Sequence, residues 1–524
     1  MVLTVLGLCA FLPGLTSIPP IDRDEARYAQ ATRQMMESGD YIDIRFQNEP
    51  RYVQPPGIYW LHVAAARLTG TGADAPIWVH RLPSVVGAIL AVLLTYWVAL
   101  VLVGENAAFT AALFMIGSVL LGFEARNGKI DAVLLATILG AMGFLARAYL
   151  RQSLTRAQAA LFWVALSAGI MLKGPIILLV LGLTALTLSV LDRSARWLRA
   201  LRPWPGFALM LLLVLPWFVA ITLRSGGEFF HIALGNNLLG KVASGQQSHG
   251  LPPGTYLLYY WLTFWPAAAL VIPAAPWIWR SRNDRAVRFC LAWIVPTWVV
   301  FELIVTKLPH YVLPVYPAIA MLLARALVNG RRPGRLLAWL MTAGGVIYMA
   351  LGVGLQFALE KKVSTPALLV ALTGATLFGW TLHAERLTAR AFSACLAGGA
   401  ILLHTAAFGL IVPSLESVWV APRLVASIKL AAGCPHPRIA AAGFHEPSLV
   451  FLCGTSTSLV FAAGAADFLE PNDCRVAIVE KQVEPEFLVR MAALGRHAVL
   501  HERVLGLPIG RPRRVDIGVY TAAP

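Results

Sequence analysis

Apolar runs of about 16 to 24 residues recur along most of this chain, and they decide what it can become. They lie near 1–18, 80–103, 106–122, 130–149, 157–172, 174–191, 205–223, 255–279, 287–306, 309–328, 334–356, 364–382 and 391–412. A helix needs about 20 such residues to cross the hydrocarbon core of a bilayer. The runs therefore predict an all-α polytopic membrane protein of about 13 transmembrane helices. Composition agrees: 58% of the 524 residues are hydrophobic and 13% are charged, against about 25% charged in a soluble domain. The first run lacks a small-residue cleavage site and is expected to be a retained helix.

The net charge of +16 would suggest nucleic acid as a partner in a soluble protein. Here it falls in alternate short loops, and no nucleic-acid partner is implied. One set carries Arg147, Arg151 and Arg156; Arg193, Arg196, Arg199 and Arg202; Arg280, Arg282, Arg285 and Arg288; Arg325, Arg331, Arg332 and Arg335; and Arg386 with Arg390. The positive-inside rule puts these in the cytoplasm. The 19–79 loop, the 224–254 loop and everything after about 413 then face outward.

The outward side is where the remaining polar residues gather. "PPIDRDEARYAQATRQMMESGD", residues 19–40, reads as a helix with Asp24 and Glu25 in its first turn and Gly39 at its stop. Taken alone it could equally be an amphipathic helix lying on lipid. But Lys129 and Asp131, Lys173, His249, and Lys307 with His310 and Tyr311 fall on the same side. Ionisable residues at membrane depth mark function, and together they predict one shared outer cavity. Acids beside lysines and arginines suit an anionic substrate plus an acid or base. No P-loop and no GxGxxG after a strand is present, so a lipid-linked phosphate donor suits this side better than a nucleotide.

These residues carry a resemblance. "DRDEARYAQATRQMMESGDYIDIRFQNEPRYVQPPGIYW" resembles the first outer loop of the lipid-A aminoarabinose transferases, which stand with the protein O-mannosyltransferases among the C-type membrane glycosyltransferases. The pattern is met by Asp24, Glu25, Arg27, Tyr28, Gly39, Asp40, Tyr59 and Trp60. "RNGKIDAVL" with Asp131, "SHGLPPGTYLLYY" with His249 and "TKLPHYVLPVYP" with Lys307 and Tyr311 resemble three further segments. The likeness covers about residues 1–330.

The resemblance implies an inverting transfer of a sugar from a polyprenyl-phosphate donor. The acceptor would be lipid A, a polysaccharide or another envelope glycan, on the periplasmic face of the bacterial inner membrane. It gives catalysis to Asp24, Asp131 and Glu25, and substrate contact to Arg27, Tyr28, Tyr52, Gln54, Lys129, Lys173, Lys307 and Tyr311. It gives a divalent metal ion to His249. One departure stands out: relatives carry a glutamate-lysine or lysine-lysine pair where this chain has Val53 and Gln54. Gln54 can hydrogen-bond a phosphate but cannot neutralise it; Lys129 or Lys173 would have to compensate. Protein O-glycosylation is the alternative activity, and a lipid-handling or transport protein without chemistry is the alternative class.

Residues 1–412 form the transmembrane domain on this reading, with the 19–79 and 224–254 loops catalytic, and residues 413–524 form a small periplasmic α/β domain. That tail shows strand patterns near 437–443, 458–462, 475–480 and 516–521, and helical ones near 446–452, 464–469 and 484–494. Its Cys434, Cys453 and Cys474 allow one disulfide in an oxidising compartment, with the pairing open.

Overall fold

The computed structural model describes residues 1–151, 153–233, 235, 240, 250–384, 386–471, 473–511 and 513–523. Every apolar run becomes helix, but not thirteen equal spans. Among the described residues eight helices are long and apolar enough to cross a membrane, and up to ten are if two bent pairs each count as one span. The run near 106–122 is such a pair. Helix α5 (Glu105–Gly117) meets α6 (Val119–Ala125) at 63°. The break falls at Ser118, whose hydroxyl caps Leu121 N–H and donates to Thr263 O. The run near 255–279 bends by 116°. Helix α1 (Val2–Phe11) and the helix Ile176–Leu191 are shorter apolar helices.

The arginine-rich loops come together at one end of the bundle. Arg288 pairs with Asp192 at 2.5 Å, Arg325 with Asp284 at 2.8 Å and Arg390 with Glu105 at 3.0 Å. Arg285 donates to Tyr149 O.

At the other end lie the two short helices of the 19–79 segment, α2 (Asp24–Ser38) and α3 (Gly57–Leu68). Helix α2 stops at Gly39, whose φ of 71° suits glycine. Its buried face is Ala26, Tyr28, Ala29, Ala31 and Met35. The core helices α4 (Ile77–Leu102) and α7 (Asp131–Arg151) pack closely, and residues 126–130, which join α6 to α7, reach α2 where Gly128 N–H donates to Glu25 Oε1.

Strands β1 (Arg45–Phe46) and β2 (Glu49–Pro50) form a short antiparallel pair in the 19–79 segment. In the tail, β3 (Arg438–Ala442), β4 (Ser458–Val460) and β5 (Arg475–Glu480) are parallel, β6 (His497–Gly506) and β7 (Val515–Ala523) run antiparallel, and together they form one sheet of order β4-β3-β5-β7-β6. Strand β6 is missing from the sequence reading. It is an edge strand with mostly exposed residues, so it lacks the apolar alternation that betrays a buried strand. Cys434 pairs with Cys474, Cα to Cα 6.2 Å, and Cys453 is free. The sheet domain lies along α2: Arg33 NH1 donates to Phe451 O at 2.7 Å, and Phe451 packs on Ala26, Ala29 and Ile77.

This seam holds Asp22, which has no role in the sequence reading. Its Oδ1 accepts from Ser448 N–H at 3.2 Å. Burial, with Glu446 nearby, pushes its carboxyl up from 3.8 to about 6. A raised carboxyl pKa means that ionisation opposes folding. The penalty is absent below pH 3.8, grows to about pH 6 and is complete above it. Asp22→Asn keeps the acceptor and removes the charge. It is expected to raise the melting temperature at pH 7.5, with the gain fading as pH falls from 6 toward 4. A gain that is independent of pH, or none, would contradict this account of the seam.

Candidate active site

Four segments converge on one cavity of about 190 Å³. Gln54 comes from the turn before α3, Asp131 from the start of α7, Lys173 from the end of α8 (Arg156–Lys173), and His310 with Tyr311 from the 3-10 turn Pro309–Val315. Local sequence explains each placement. Asp131 is the first residue of its helix and Lys173 the last of its own, so each charge sits at the helix end whose dipole favours it. Gly57 lets α3 approach α8: a Cβ there would stand 2.6 Å from Met171 O. That approach sets Gln54 beside Lys173 on the cavity wall. Phe218, Phe229, Phe230 and Phe301 give the cavity a broad apolar side.

The polar end is a balanced cluster. Lys173 Nζ lies 2.5 Å from Asp131 Oδ1. Behind Asp131, buried Glu124 receives Lys129 Nζ at 3.6 Å. His310 stands between the acids, Nε2 at 3.9 Å from Asp131 and Nδ1 at 3.8 Å from Glu124. Lys173 also faces the Tyr311 ring at 5.6 Å. Lys129, in the loop before α7, is held above the usual lysine range by Glu124 and Asp131, despite its burial.

Asp24 stands at the rim. Its side chain is 54% exposed, Arg51 NH2 lies 4.0 Å away, and its charge reaches Lys129 and Tyr311. Arg51 is buried, stacks over the Tyr28 ring at 4.9 Å and donates to Tyr59 Oη at 3.1 Å. Tyr28 Oη donates to Gln54 Oε1 at 2.9 Å. The amide oxygen of Gln54 is thus taken, which leaves its NH₂ to donate into the cavity. Arg27 is half-buried near Asp24, Arg51 and Glu446; burial and Arg51 lower its pKa.

Three expected site residues stand elsewhere. Glu25 is fully buried and spent on structure: Arg81 Nε and NH2 each reach it at 2.8 Å, Gly128 N–H donates at 2.7 Å and Ile21 N–H at 2.8 Å. Both oxygens are occupied, so it offers no base to a substrate. Lys307 is turned to the end of the helix Arg285–Leu303, where its ammonium donates to Glu302 O and Ile304 O and satisfies carbonyls left open there. Tyr52 gives its hydroxyl to Asp43 at 2.7 Å and packs its ring on Phe229 behind the cavity wall. His249 lies outside the described residues.

Glu124 and Arg51 enter the site without a place among the expected residues, and His310, expected only as a residue of the outer cavity, takes a position between the two acids. Glu124 was legible as an acid closing an apolar run, and His310 as the neighbour of Tyr311. Arg51 carried no signal beyond its charge.

The donor atoms of Glu124, Asp131 and His310 lie within 4.8 Å of one another, close enough to suggest a divalent ion. The chemistry of the set argues against one. Each carboxylate already carries a lysine, so an entering dication would meet a cluster without net negative charge and would have to displace an ammonium. A divalent ion therefore does not fit Glu124, Asp131 and His310 as they stand, and His249, the expected metal ligand, lies outside the described residues.

Comparisons with known proteins bear on this geometry. The family model for dolichyl-phosphate-mannose-protein mannosyltransferases matches residues 53–219. The undecaprenyl phosphate-alpha-4-amino-4-deoxy-L-arabinose arabinosyl transferase of Pectobacterium atrosepticum is 28% identical over 353 residues, 63% of this chain and 61% of the relative. The enzyme of the same name from Edwardsiella ictaluri is 27% identical over 440 residues, 77% and 75% of the two chains. The first of these matches thus spans about six tenths of the relative's length. Among solved structures, ArnT from Cupriavidus metallidurans bound to undecaprenyl phosphate superposes with a TM-score of 0.79 at 18% identity, covering 98% of this chain and 96% of that one. The archaeal oligosaccharyltransferase AglB from Archaeoglobus fulgidus gives 0.52 at 12% identity, covering 94% and 70%. This chain is thus a mostly helical multi-pass membrane protein that shares the fold of ArnT, is similar in sequence to the aminoarabinose transferases and matches the mannosyltransferase family over residues 53–219.

Proposed function

We propose that the protein is an inverting glycosyltransferase that moves an aminoarabinose-type sugar from undecaprenyl phosphate to lipid A at the outer face of the inner membrane. One observation carries the reading: a single cavity joins an apolar, phenylalanine-rich wall to a polar end of Lys173, His310, Tyr311, Asp131 and Gln54. A polyprenyl phosphate has that same division into apolar chain and anionic head. The names of the curated relatives supply the sugar and the lipid carrier.

In this mechanism an acceptor hydroxyl attacks the anomeric carbon in line, the C–O bond to phosphate breaks, and polyprenyl phosphate leaves. Asp24, open to the rim, takes the hydroxyl proton or orients that hydroxyl. Lys173 and the amide of Gln54 face the leaving phosphate, where a positioned cation stabilises the charge that develops. Asp131 holds Lys173 in place at the polar end. Glu124 does the same for Lys129 from beneath, and Arg27 adds positive charge at the rim. Tyr28 fixes Gln54. No step is assigned to a metal ion. Gln54 cannot replace the charge of the lysine that relatives carry there, so the Lys173–His310 side bears the phosphate.

The orientation belongs to the proposal. The arginine loops mark the cytoplasmic end, and the sheet domain with its Cys434–Cys474 disulfide suits the oxidising periplasm.

Asp24→Asn and Asp131→Asn preserve size and remove charge. Each is expected to lower transfer by about 10² to 10⁴, the usual cost of losing an acid–base or orienting group. Mass spectrometry of lipid A after reaction with purified variants reads this, with the melting temperature as the control for folding. Near-normal transfer in both would sink the assignment. A phosphatase fused after Pro524 is expected to be active, and one fused after Arg199 inactive. The opposite pattern would place the cavity in the cytoplasm.

A further inference from the structure

Helix α2, which carries Asp24, is held between the bundle and the sheet domain along its whole length. Gln30 Nε2 donates to Thr455 Oγ1 at 2.8 Å, and that hydroxyl donates to Glu37 at 2.8 Å. Gln47 Nε2 donates to Thr457 O at 2.5 Å. Two further contacts grip the start of the helix. Ser448 N–H donates to Asp22, and the Arg23 guanidinium donates to Gly510 O.

Arg23, between those anchors, has φ 69° and ψ −110°. This is glycine territory, and a residue with a side chain stays there only when its surroundings compel it. The next residue is Asp24. Turning the Arg23 backbone back to an ordinary conformation would swing the Asp24 Cα–Cβ bond away from the rim. On the bundle side Arg51, at 4.0 Å, restrains the carboxylate itself but not the backbone that presents it.

We propose that the C-terminal domain is a working part of the active site. Through Ser448 and Gly510 it holds Arg23 in this conformation, and so aims Asp24 at the cavity rim. Arg23 is then a positioning residue, acting through Asp24 and touching no substrate. The inference rests on the reading of Asp24 given above. It also gives a reason why a membrane-embedded site keeps a separate sheet domain pressed against one short helix.

The test uses the full chain in lipid nanodiscs, with undecaprenyl phosphate–aminoarabinose as donor and lipid A as acceptor. Arg23→Ala removes the guanidinium anchor. Ser448→Pro removes the other N–H at a place that tolerates proline, the first turn of the helix Pro447–Cys453. Each is expected to lower kcat about tenfold, since small misplacements of a catalytic group are costly. Donor KM, undecaprenyl phosphate binding and melting temperature stay near wild type. Arg23→Gly is expected to recover most of kcat, because glycine takes the positive φ unaided. Deuterium exchange at the Ala26 and Arg27 amides, bonded to Ile21 O and Arg23 O, speeds up in the alanine and proline variants. Unchanged kcat in both variants, or Arg23→Gly as poor as Arg23→Ala, overturns the proposal. Wild-type protein inert with this donor and acceptor would overturn the functional reading instead. The exchange data then judge the anchoring alone: faster exchange upholds it, and unchanged exchange removes it.

Discussion

The outer end of this molecule is organised around the buried pair Glu25–Arg81. Both side chains are fully buried. Beyond its two bonds to Glu25, Arg81 donates to Leu15 O at 2.8 Å, Ile18 O at 2.7 Å and Pro19 O at 2.9 Å. Glu25 in turn holds the Gly128 and Ile21 amides. One ion pair thus ties the exit of the first helix, the start of α2, the head of α4 and the loop leading to α7. Burying two charges is repaid only when every remaining donor and acceptor is satisfied, and losing one partner costs roughly 3–5 kcal/mol. Here the satisfaction is nearly complete. The consequence for function is direct, because Asp24 is the neighbour of Glu25, and Lys129 the neighbour of Gly128. Glu25 faces inward and Asp24 outward, from adjacent positions on one helix.

The second constraint is charge balance in the site itself. Two carboxylates, Glu124 and Asp131, meet two ammonium groups, Lys129 and Lys173, with His310 between them. Such a cluster can be buried because it carries little net charge. It can also take an anion, because Lys173 is shared between Asp131 and the open cavity. Gln54 adds a neutral donor to that setting: Tyr28 holds its amide oxygen, and Lys173 supplies the positive charge on the cavity wall.

Much of this was legible from sequence because the signals are local. Apolar runs, arginine loops and the helix over 24–38 follow from patterns within one segment. So do all four strand patterns read in the tail, which form β3, β4, β5 and β7. The misread parts are long-range or exposed. Glu25 looked catalytic because its partner Arg81 lies 56 residues away. Lys307 looked like a phosphate ligand because nothing in "TKLPHY" announces that its ammonium folds back on helix-end carbonyls. The equal spans failed where Ser118 breaks a helix, and β6 failed because an exposed edge has no buried face to reveal it.

The most direct measurement is a structure of the full chain with undecaprenyl phosphate bound. The phosphate is expected at the polar end of the cavity, within hydrogen-bond distance of Lys173 and the Gln54 amide, with the polyprenyl chain along Phe218, Phe229 and Phe301. A phosphate bound away from Lys173 and Asp131, in another groove of the bundle, would contradict that expectation.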